Sequence, residues 1–376
     1  MSKVKVGIIG IGSMGSQYVL MFERGQVEGA ELTAVCTANE RKREWVKENT
    51  QGSVQVFHDE DLFFNDSGID AVIIARPHYD HPTLAIKAFS CGLHVLIEKP
   101  AGVYTKNVLE MNETAKKSGK VFGIIYNQRT NPLYQKLREL IQSGELGEIK
   151  RTNWIVTHWY RSQSYYDSSD WRATWDGEGG GVLLNQSPHQ LDLWQWTTGL
   201  MPKCVQAFNH YGKYHDIEVE DESTVYVEYE NGATGVFITS TGETPGTNRF
   251  EIAGDRGKIV VEDDETLTFY RLRQSEREFN ATYKGGMGEP ECWEIDIPIQ
   301  GENPEHLGII QNWMDGITKG TPLLAPGEEG IKGLEISNAI YLSSWLNQMV
   351  ELPVDPDLFY EKLQEKIQKT KEMSIK

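Results

Sequence analysis

Cysteine is scarce in this sequence and basic residues are outnumbered, and each shortage closes off a class of protein. Cys36, Cys91, Cys204 and Cys292 are the only thiols in 376 residues, and no two of them form a C-x-x-C pair. Neither a zinc knuckle nor a disulfide framework is indicated, no metal site is expected, and reduced thiols suit a cytoplasmic protein. Lys and Arg number 37 against 55 Asp and Glu, a formal net charge of −18. That field repels nucleic acid and anionic membrane surfaces, so neither is expected as a partner. No apolar run reaches the roughly 18 residues that a membrane-spanning helix needs. The early apolar stretch from Val6 to Ile11 lacks the length and the small-residue cleavage site of a signal peptide.

What is present is the balance of a globular protein, with 39% hydrophobic and 24% charged residues. The length exceeds one ordinary core, so two domains are expected. In the first third, short β-rich runs of the fully buried kind cover Val4 to Ile9, Leu32 to Cys36, Val54 to Phe57, Ile69 to Ala75, His94 to Ile97 and Val121 to Tyr126. Helical periodicity fills the gaps at Ser13 to Phe22, Glu40 to Glu48, Pro82 to Cys91 and Lys106 to Lys117. Regular alternation of strand and helix implies right-handed crossovers and a parallel sheet covered on both faces.

After about Asn127 the pattern changes. A helix from Pro132 to Gln142 leads into alternating strands at Ile149 to His158, Thr224 to Tyr229, Gly235 to Ser240, Lys258 to Val261, Leu267 to Leu272 and Trp293 to Ile299. Asn231-Gly232 suits a tight hairpin, because both residues tolerate positive φ. These strands read as an antiparallel sheet in a second domain. Helices return at Glu305 to Thr318, Glu328 to Gln348 and Asp357 to Lys371.

The strongest motif is Gly10-Ile11-Gly12-Ser13-Met14-Gly15, a G-x-G-x-x-G between the first strand and the first helix. Gly10 serves the tight turn, Gly12 lets backbone approach a pyrophosphate, and Gly15 lets helix pack on strand. The helix N-terminus then offers N–H groups and partial positive charge to the phosphates. Where an acid usually grips the ribose, at the end of the second strand, the chain has Cys36-Thr37-Ala38-Asn39. Thr37 can hydrogen-bond a ribose hydroxyl, and Arg41, Lys42 or Arg43 can meet a 2′-phosphate or merely decorate a solvated helix. NAD and NADP are both admitted.

Two further segments carry the chemistry. The fifth strand ends in Glu98-Lys99-Pro100, at the carboxyl edge of the parallel sheet, and Gly179-Gly180-Gly181 leads through Asn185 to Ser187-Pro188-His189 and Asp192. With the glycine motif and the domain order, these resemble the Gfo/Idh/MocA oxidoreductases, which include glucose–fructose oxidoreductase and inositol dehydrogenases. The resemblance covers essentially the whole chain. It implies an α/β fold: a Rossmann dinucleotide-binding domain, residues 1–126, and a C-terminal α+β domain with a largely antiparallel open sheet, residues 127–376, for substrate binding and oligomerisation.

The resemblance also assigns roles. Lys99 matches the lysine that binds the reacting hydroxyl and assists proton transfer, His189 the acid–base histidine, and Asp192 a carboxylate that touches substrate. The family often has Asp where this chain has Asn185, and an amide orients a hydroxyl without holding charge, so His189 is the expected base. The chemistry asks for these types on its own account: oxidising a secondary alcohol needs a base with a pKa near neutrality and a cation for alkoxide character. Ser187-Pro188 reads as a helix start, which puts His189 and Asp192 on one helix face.

On the cofactor side the resemblance adds Glu98, Asn127, the Trp171-Arg172 pair and Ala75-Arg76-Pro77-His78, which closes the fourth strand near the nicotinamide. His81 reads as a structural cap of the following helix, and Arg129 as a structural ion-pair partner or a site residue. His158, Trp159, Tyr160, Tyr165, Tyr166, Trp171 and Trp175 form an aromatic-rich stretch. Aromatic faces stack on sugar rings, which makes His158, Tyr160 and Trp175 substrate candidates, and aromatics equally fill cores and interfaces. The implied activity is hydride transfer between nicotinamide and a hydroxyl or ketone of a sugar, glycoside or polyol, by a homodimer or homotetramer. Two other activities fit the same residues: a glycosidase or lyase that uses transient oxidation by NAD, and a non-catalytic nicotinamide-binding protein.

Overall fold

The computed structural model describes residues 3–374. The chain opens with β1 (Val4–Ile9), α1 (Ser13–Glu23), β2 (Ala30–Cys36), α2 (Glu40–Asn49), β3 (Gln55–Phe57) and α3 (Glu60–Asp66). It continues with β4 (Ala71–Ile74), α4 (Asp80–Ser90), β5 (His94–Ile97), α5 (Thr105–Ser118), β6 (Phe122–Ile124) and a single turn at Asn127–Thr130. Then come α6 (Pro132–Gln142), β7 (Ile149–Val156), α7 (Gln163–Tyr166), α8 (Val182–Asn185) and α9 (Pro188–Thr198). Six strands follow, β8 (Pro202–Tyr211), β9 (Glu220–Tyr229), β10 (Thr234–Ser240), β11 (Asn248–Gly254), β12 (Gly257–Glu262) and β13 (Thr266–Leu272). The remainder is α10 (Glu276–Thr282), β14 (Cys292–Asp296), α11 (Glu305–Lys319), α12 (Gly330–Leu346), β15 (Val350–Glu351) and α13 (Pro356–Ser374). These form two compact units, one taking the chain to Thr130 together with Asn303–Leu334, the other taking Asn131–Glu302 and the chain from Glu335 onward.

In the first unit a six-stranded parallel sheet runs β3-β2-β1-β4-β5-β6. The central strands β4 and β5 read Ala-Val-Ile-Ile and His-Val-Leu-Ile, and all but His94 are buried, as a sheet covered on both faces requires. The order reverses at β1, whose neighbours are β2 and β4. That reversal opens a crevice at the carboxyl ends of the strands, where ligands of such sheets bind. Helix α3 was not expected. Its sequence is short, yet Asp59 starts it by accepting the Leu62 N–H at 2.9 Å.

The second unit holds a nine-stranded sheet in the order β14-β13-β12-β11-β7-β10-β9-β8-β15. It is mixed rather than purely antiparallel, because β7, the first of its strands along the chain, lies beside β10 in parallel and beside β11 in antiparallel register. The Asn231-Gly232 hairpin joins β9 to β10 as expected, with Gly232 at φ 82°. One face is packed: Trp154 stacks on Phe250 with centroids 4.2 Å apart, and Trp194 on Phe237 at 5.5 Å. Helix α9 is buried nearly all round, the mark of a helix inside a core. The opposite face leaves Ile155, Phe208 and Tyr226 exposed. Among the described residues no helix is long and apolar enough to cross a membrane.

Candidate active site

The glycine-rich turn of the first unit has the geometry its three glycines imply. Gly10 sits at φ 95°, where a Cβ would stand 2.4 Å from the Ala75 carbonyl oxygen. A Cβ on Gly15 would stand 2.0 Å from the Gly10 oxygen, so helix α1 packs on the turn only because that position is bare. Gly12 differs: a Cβ there would meet no protein atom within 4 Å. It is the N-cap of α1, with no side-chain cap and no acid in the first turn. Ile11 is buried beneath the turn, while Ser13 is exposed and Met14 half-buried. Bare backbone, open space and an uncapped helix dipole make a cradle for phosphate oxygens.

At the end of β2, Thr37 is buried and its carbonyl accepts from Arg43 Nη1 at 3.2 Å. Arg43 also donates to the Ala38 carbonyl at 2.6 Å, so this arginine braces the loop. Asn39 caps α2 by accepting the Lys42 N–H at 3.2 Å. Arg41 lies exposed in the first turn of α2.

Beyond β4, Ala75 and Pro77 are half-buried and His78 is buried. Arg76 pairs with Asp80 at 3.0 Å and with Glu60 at 3.6 Å. His81 is structural, though it does not cap α4, which begins one residue earlier. Fully buried, it lies 2.7 Å from both the Pro100 carbonyl through Nδ1 and the Arg76 carbonyl through Nε2. One imidazole thus ties the loop after β4 to the residue following Lys99.

Lys99 is half-buried at the end of β5, and Glu98 before it is buried. Glu98 Oε1 accepts the hydroxyl of Tyr18 from α1, and Oε2 accepts the Lys99 N–H at 3.1 Å. Burial pushes the Glu98 carboxyl up, while the Lys99 charge opposes the shift. His306, in the first turn of α11, lies 6.1 Å from the Tyr18 ring. Burial first and the Lys99 charge second lower its pKa to about 4, so it is a neutral imidazole. Asn127 is buried, and its Oδ1 has no partner among the described residues. Arg129, with no exposed surface, donates to the Leu324 carbonyl at 3.0 Å and to Glu329 at 2.5 Å, which settles it as a structural ion pair.

In the second unit the glycine run leads into α8 and α9. Glu220 on β9 is buried and holds this turn, accepting from Gly181 N at 3.0 Å, Leu183 N at 2.9 Å and the Tyr341 hydroxyl at 2.7 Å. Pro188 is the first residue of α9, as the Ser-Pro start implies, and Ser187 turns its hydroxyl to Thr239 at 2.9 Å instead of capping. His189 is half-buried. Asp192, one turn later, is buried and accepts from Gln195 Nε2 at 3.0 Å. Asn185 Nδ2 donates to Glu178 at 2.5 Å and to the Tyr165 hydroxyl at 3.1 Å. Arg172 joins the same cluster, donating to the Tyr165 hydroxyl at 2.8 Å, with its guanidinium stacked 4.5 Å from the Tyr165 ring and 4.8 Å from the Trp171 ring. His158 and Tyr160 are exposed. Trp175 is only 3% exposed and packs against Tyr211, Tyr341 and Trp345, the core reading of the aromatic stretch.

Comparison with known proteins agrees with both units. Residues 4–126 match the model for the oxidoreductase family with an NAD-binding Rossmann fold, and residues 134–260 match the GFO/IDH/MocA C-terminal domain. The chain belongs to the Gfo/Idh/MocA oxidoreductase family. Myo-inositol 2-dehydrogenase of Thermotoga maritima is 22% identical over 344 residues, 89% of this chain and 95% of that protein. The 1,5-anhydro-D-fructose reductase of Ensifer adhaerens is 25% identical, covering 92% of this chain and 98% of the reductase. Among solved structures, the WlbA dehydrogenase of Chromobacterium violaceum, in complex with NADH and UDP-GlcNAcA, superposes with a TM-score of 0.81 at 26% identity, covering 94% of this chain and 97% of that one.

As a Gfo/Idh/MocA member the protein is an NAD(P)-dependent oxidoreductase, and its residues fit the cofactor. The open space over Gly12 accommodates a pyrophosphate, and the partnerless Asn127 Oδ1 is a buried acceptor of the sort a bound amide or hydroxyl satisfies. Sequence reasoning missed Tyr18, His306, Glu178 and Glu220. Glu178 had a faint signal, an acid set within the glycine run Gly177 to Gly181. Tyr18 and His306 had none, since Tyr18 acts through its hydrogen bond to Glu98 and His306 lies against Tyr18 within the field of Lys99.

Proposed function

We propose that this oxidoreductase moves a hydride between nicotinamide and a secondary hydroxyl, or the matching ketone, of a sugar, glycoside or inositol-like polyol. The observation that carries the reading is Lys99: an ammonium at the carboxyl edge of the parallel sheet, one residue from a buried carboxylate fixed by Tyr18. The relatives named above act, by their names, on an inositol and an anhydro sugar, substrates of the same oxygen-rich kind.

The dinucleotide, when bound, supplies the hydride acceptor or donor. Gly10 to Gly15 would hold its pyrophosphate and Thr37 and Arg41 its adenosine end, with Ala75 to His78, Glu98 and Asn127 toward the nicotinamide. Trp171 and Arg172 are assigned to the cofactor by resemblance. Lys99 binds the reacting oxygen and stabilises its alkoxide character, and His189 takes or returns the hydroxyl proton. Asn185 and Asp192 orient substrate hydroxyls, and the exposed His158 and Tyr160 are the aromatic candidates for ring contact, Trp175 being packed in the core. The dinucleotide-binding domain is residues 1–126, and residues 127–376, which add Asn127, Trp171 and Arg172 to the cofactor, serve substrate binding and self-association. The exposed Ile155, Phe208 and Tyr226 on one sheet face support a homodimer or homotetramer. The four cysteines are unpaired, which suits a reducing cytoplasm.

The experiment is to follow nicotinamide absorbance while polyols, aldoses, glycosides and their keto derivatives are screened with NAD and NADP. Turnover of at least one substrate class is expected. Release of an aglycone without net reduced cofactor would replace this reading with the elimination chemistry, and silence across the whole set would end it.

A further inference from the structure

We infer that Tyr165 is a further substrate-contacting residue, whose hydroxyl donates a hydrogen bond to a substrate oxygen. This rests on the oxidoreductase reading above and adds a residue to it. A phenol oxygen has two lone pairs and one proton. Arg172 Nη1 donates to the Tyr165 oxygen at 2.8 Å and Asn185 Nδ2 at 3.1 Å, with Gln186 Nε2 more distant at 3.4 Å. Both lone pairs are therefore taken by N–H groups.

The direction of those bonds is not arbitrary. Arg172 can only donate. Asn185 turns its nitrogen toward Glu178 Oε1, 2.5 Å away, an oxygen that also faces the Arg172 guanidinium at 3.8 Å and accepts the amide N–H. Its second N–H then falls to Tyr165. Glu178 is 1% exposed and also accepts the Ala173 N–H at 2.6 Å, so the carboxylate that sets this orientation is itself anchored.

Tyr165 is thus loaded with donors, and its own proton has to leave in another direction. Among the described residues no protein group accepts it, and the residue is half-buried, which leaves a solvent or ligand oxygen to take the proton. The guanidinium of Arg172 over the ring at 4.5 Å and that of Arg161 at 5.2 Å make an electron-rich oxygen the favoured partner. A hydroxyl, ketone or carboxylate oxygen of a sugar-like substrate fits, and a cation or an apolar group does not.

The test compares wild type with Tyr165→Phe on whichever of myo-inositol, scyllo-inositol and levoglucosan the wild type oxidises. KM is expected to rise about tenfold, the scale of one lost hydrogen bond to a desolvated group. The turnover number should stay within about threefold and cofactor affinity should not change, while the melting temperature falls only by the few degrees that the lost acceptor for Arg172 and Asn185 costs. An unchanged KM overturns the inference. So does a joint loss of melting temperature and cofactor affinity, which would make Tyr165 a brace for Arg172 and Asn185. As an independent readout, 3-fluorotyrosine is placed at 165 in the Lys99→Met protein saturated with oxidised cofactor. Its fluorine resonance should move as myo-inositol or levoglucosan is added, and a resonance that never moves counts against the contact. If wild type oxidises none of the three, the functional reading is decided by the wider substrate screen, and the fluorine titration still decides whether Tyr165 meets a polyol.

Discussion

The hydroxyl of Tyr18 donates to Oε1 of Glu98, so the helix that opens the glycine-rich turn is fastened to the residue before Lys99. Both side chains are buried, and burial raises both pKa values, Tyr18 well above the phenol range. Removing the donor leaves a buried carboxylate oxygen short of a partner. Tyr18→Phe is expected to destabilise the protein by about 1 to 3 kcal/mol. The deficit should grow as pH rises, because the bond lost favours the ionised form and its removal raises the Glu98 pKa further. Urea denaturation of both proteins at several pH values measures this, and a difference that shrinks at high pH would contradict the assigned donor direction.

The neutral His306 reports on the charge of Lys99. Its pKa of about 4 results from burial and from that ammonium. Because the folded value lies below the ordinary 6.5 of a free imidazole, its contribution to stability is complete above 6.5 and is lost as pH falls toward 4. Lys99→Met removes the positive charge and should move the His306 titration upward, toward the ordinary value. Proton NMR of the His306 ring in the two proteins gives the answer directly, and coincident titration curves would place the lysine charge elsewhere.

Lys99→Met and His189→Ala should each fold and retain cofactor while losing activity by about two to four orders of magnitude, the usual contribution of a positioned acid–base group. Stopped-flow hydride transfer and cofactor titration separate chemistry from binding. Near wild-type rates in either variant would remove that residue from the mechanism.

The first unit was far more legible in the sequence than the second. Strands such as β1 and β5 are short and buried from Val6 and Val95 onward, and their ends match the expected ones residue for residue. In the second unit, β8 and β11 were not foreseen, and β9 begins four residues before its expected start at Thr224. That early part of β9 buries Glu220, Asp221 and Ser223 where alternation asks for apolar side chains. Asp221 accepts the backbone N–H groups of Lys213, Tyr214 and His215 at 3.1, 2.7 and 3.1 Å, and Glu220 accepts those of Gly181 and Leu183. Polar residues that hold distant turns leave no periodic trace. The site divides the same way: motif glycines and Lys99 announce themselves by spacing, whereas Tyr18, Glu178 and His306 are recognised only through their neighbours in space.

Glu220 supplies the clearest pH dependence. Although four hydrogen bonds favour its anion, complete burial outweighs them and pushes its pKa from the ordinary 4.5 up to about 7. A carboxyl raised on folding takes up a proton between those values, so stability is greatest at the acid end and is lost as pH climbs through 7. The span from 4.5 to about 7 corresponds to about 3 kcal/mol. Glu220→Gln imitates the protonated form, because its Oε1 can still accept from Gly181, Leu183 and Tyr341. The variant should match wild type near pH 5 and exceed it at pH 8, since it keeps the turn before Asn185 and His189 without a buried charge. Urea midpoints at pH 5, 6, 7 and 8 decide the matter. Parallel pH profiles for the two proteins would mean that Glu220 is ionised throughout and that the hydrogen bonds, rather than burial, control its charge.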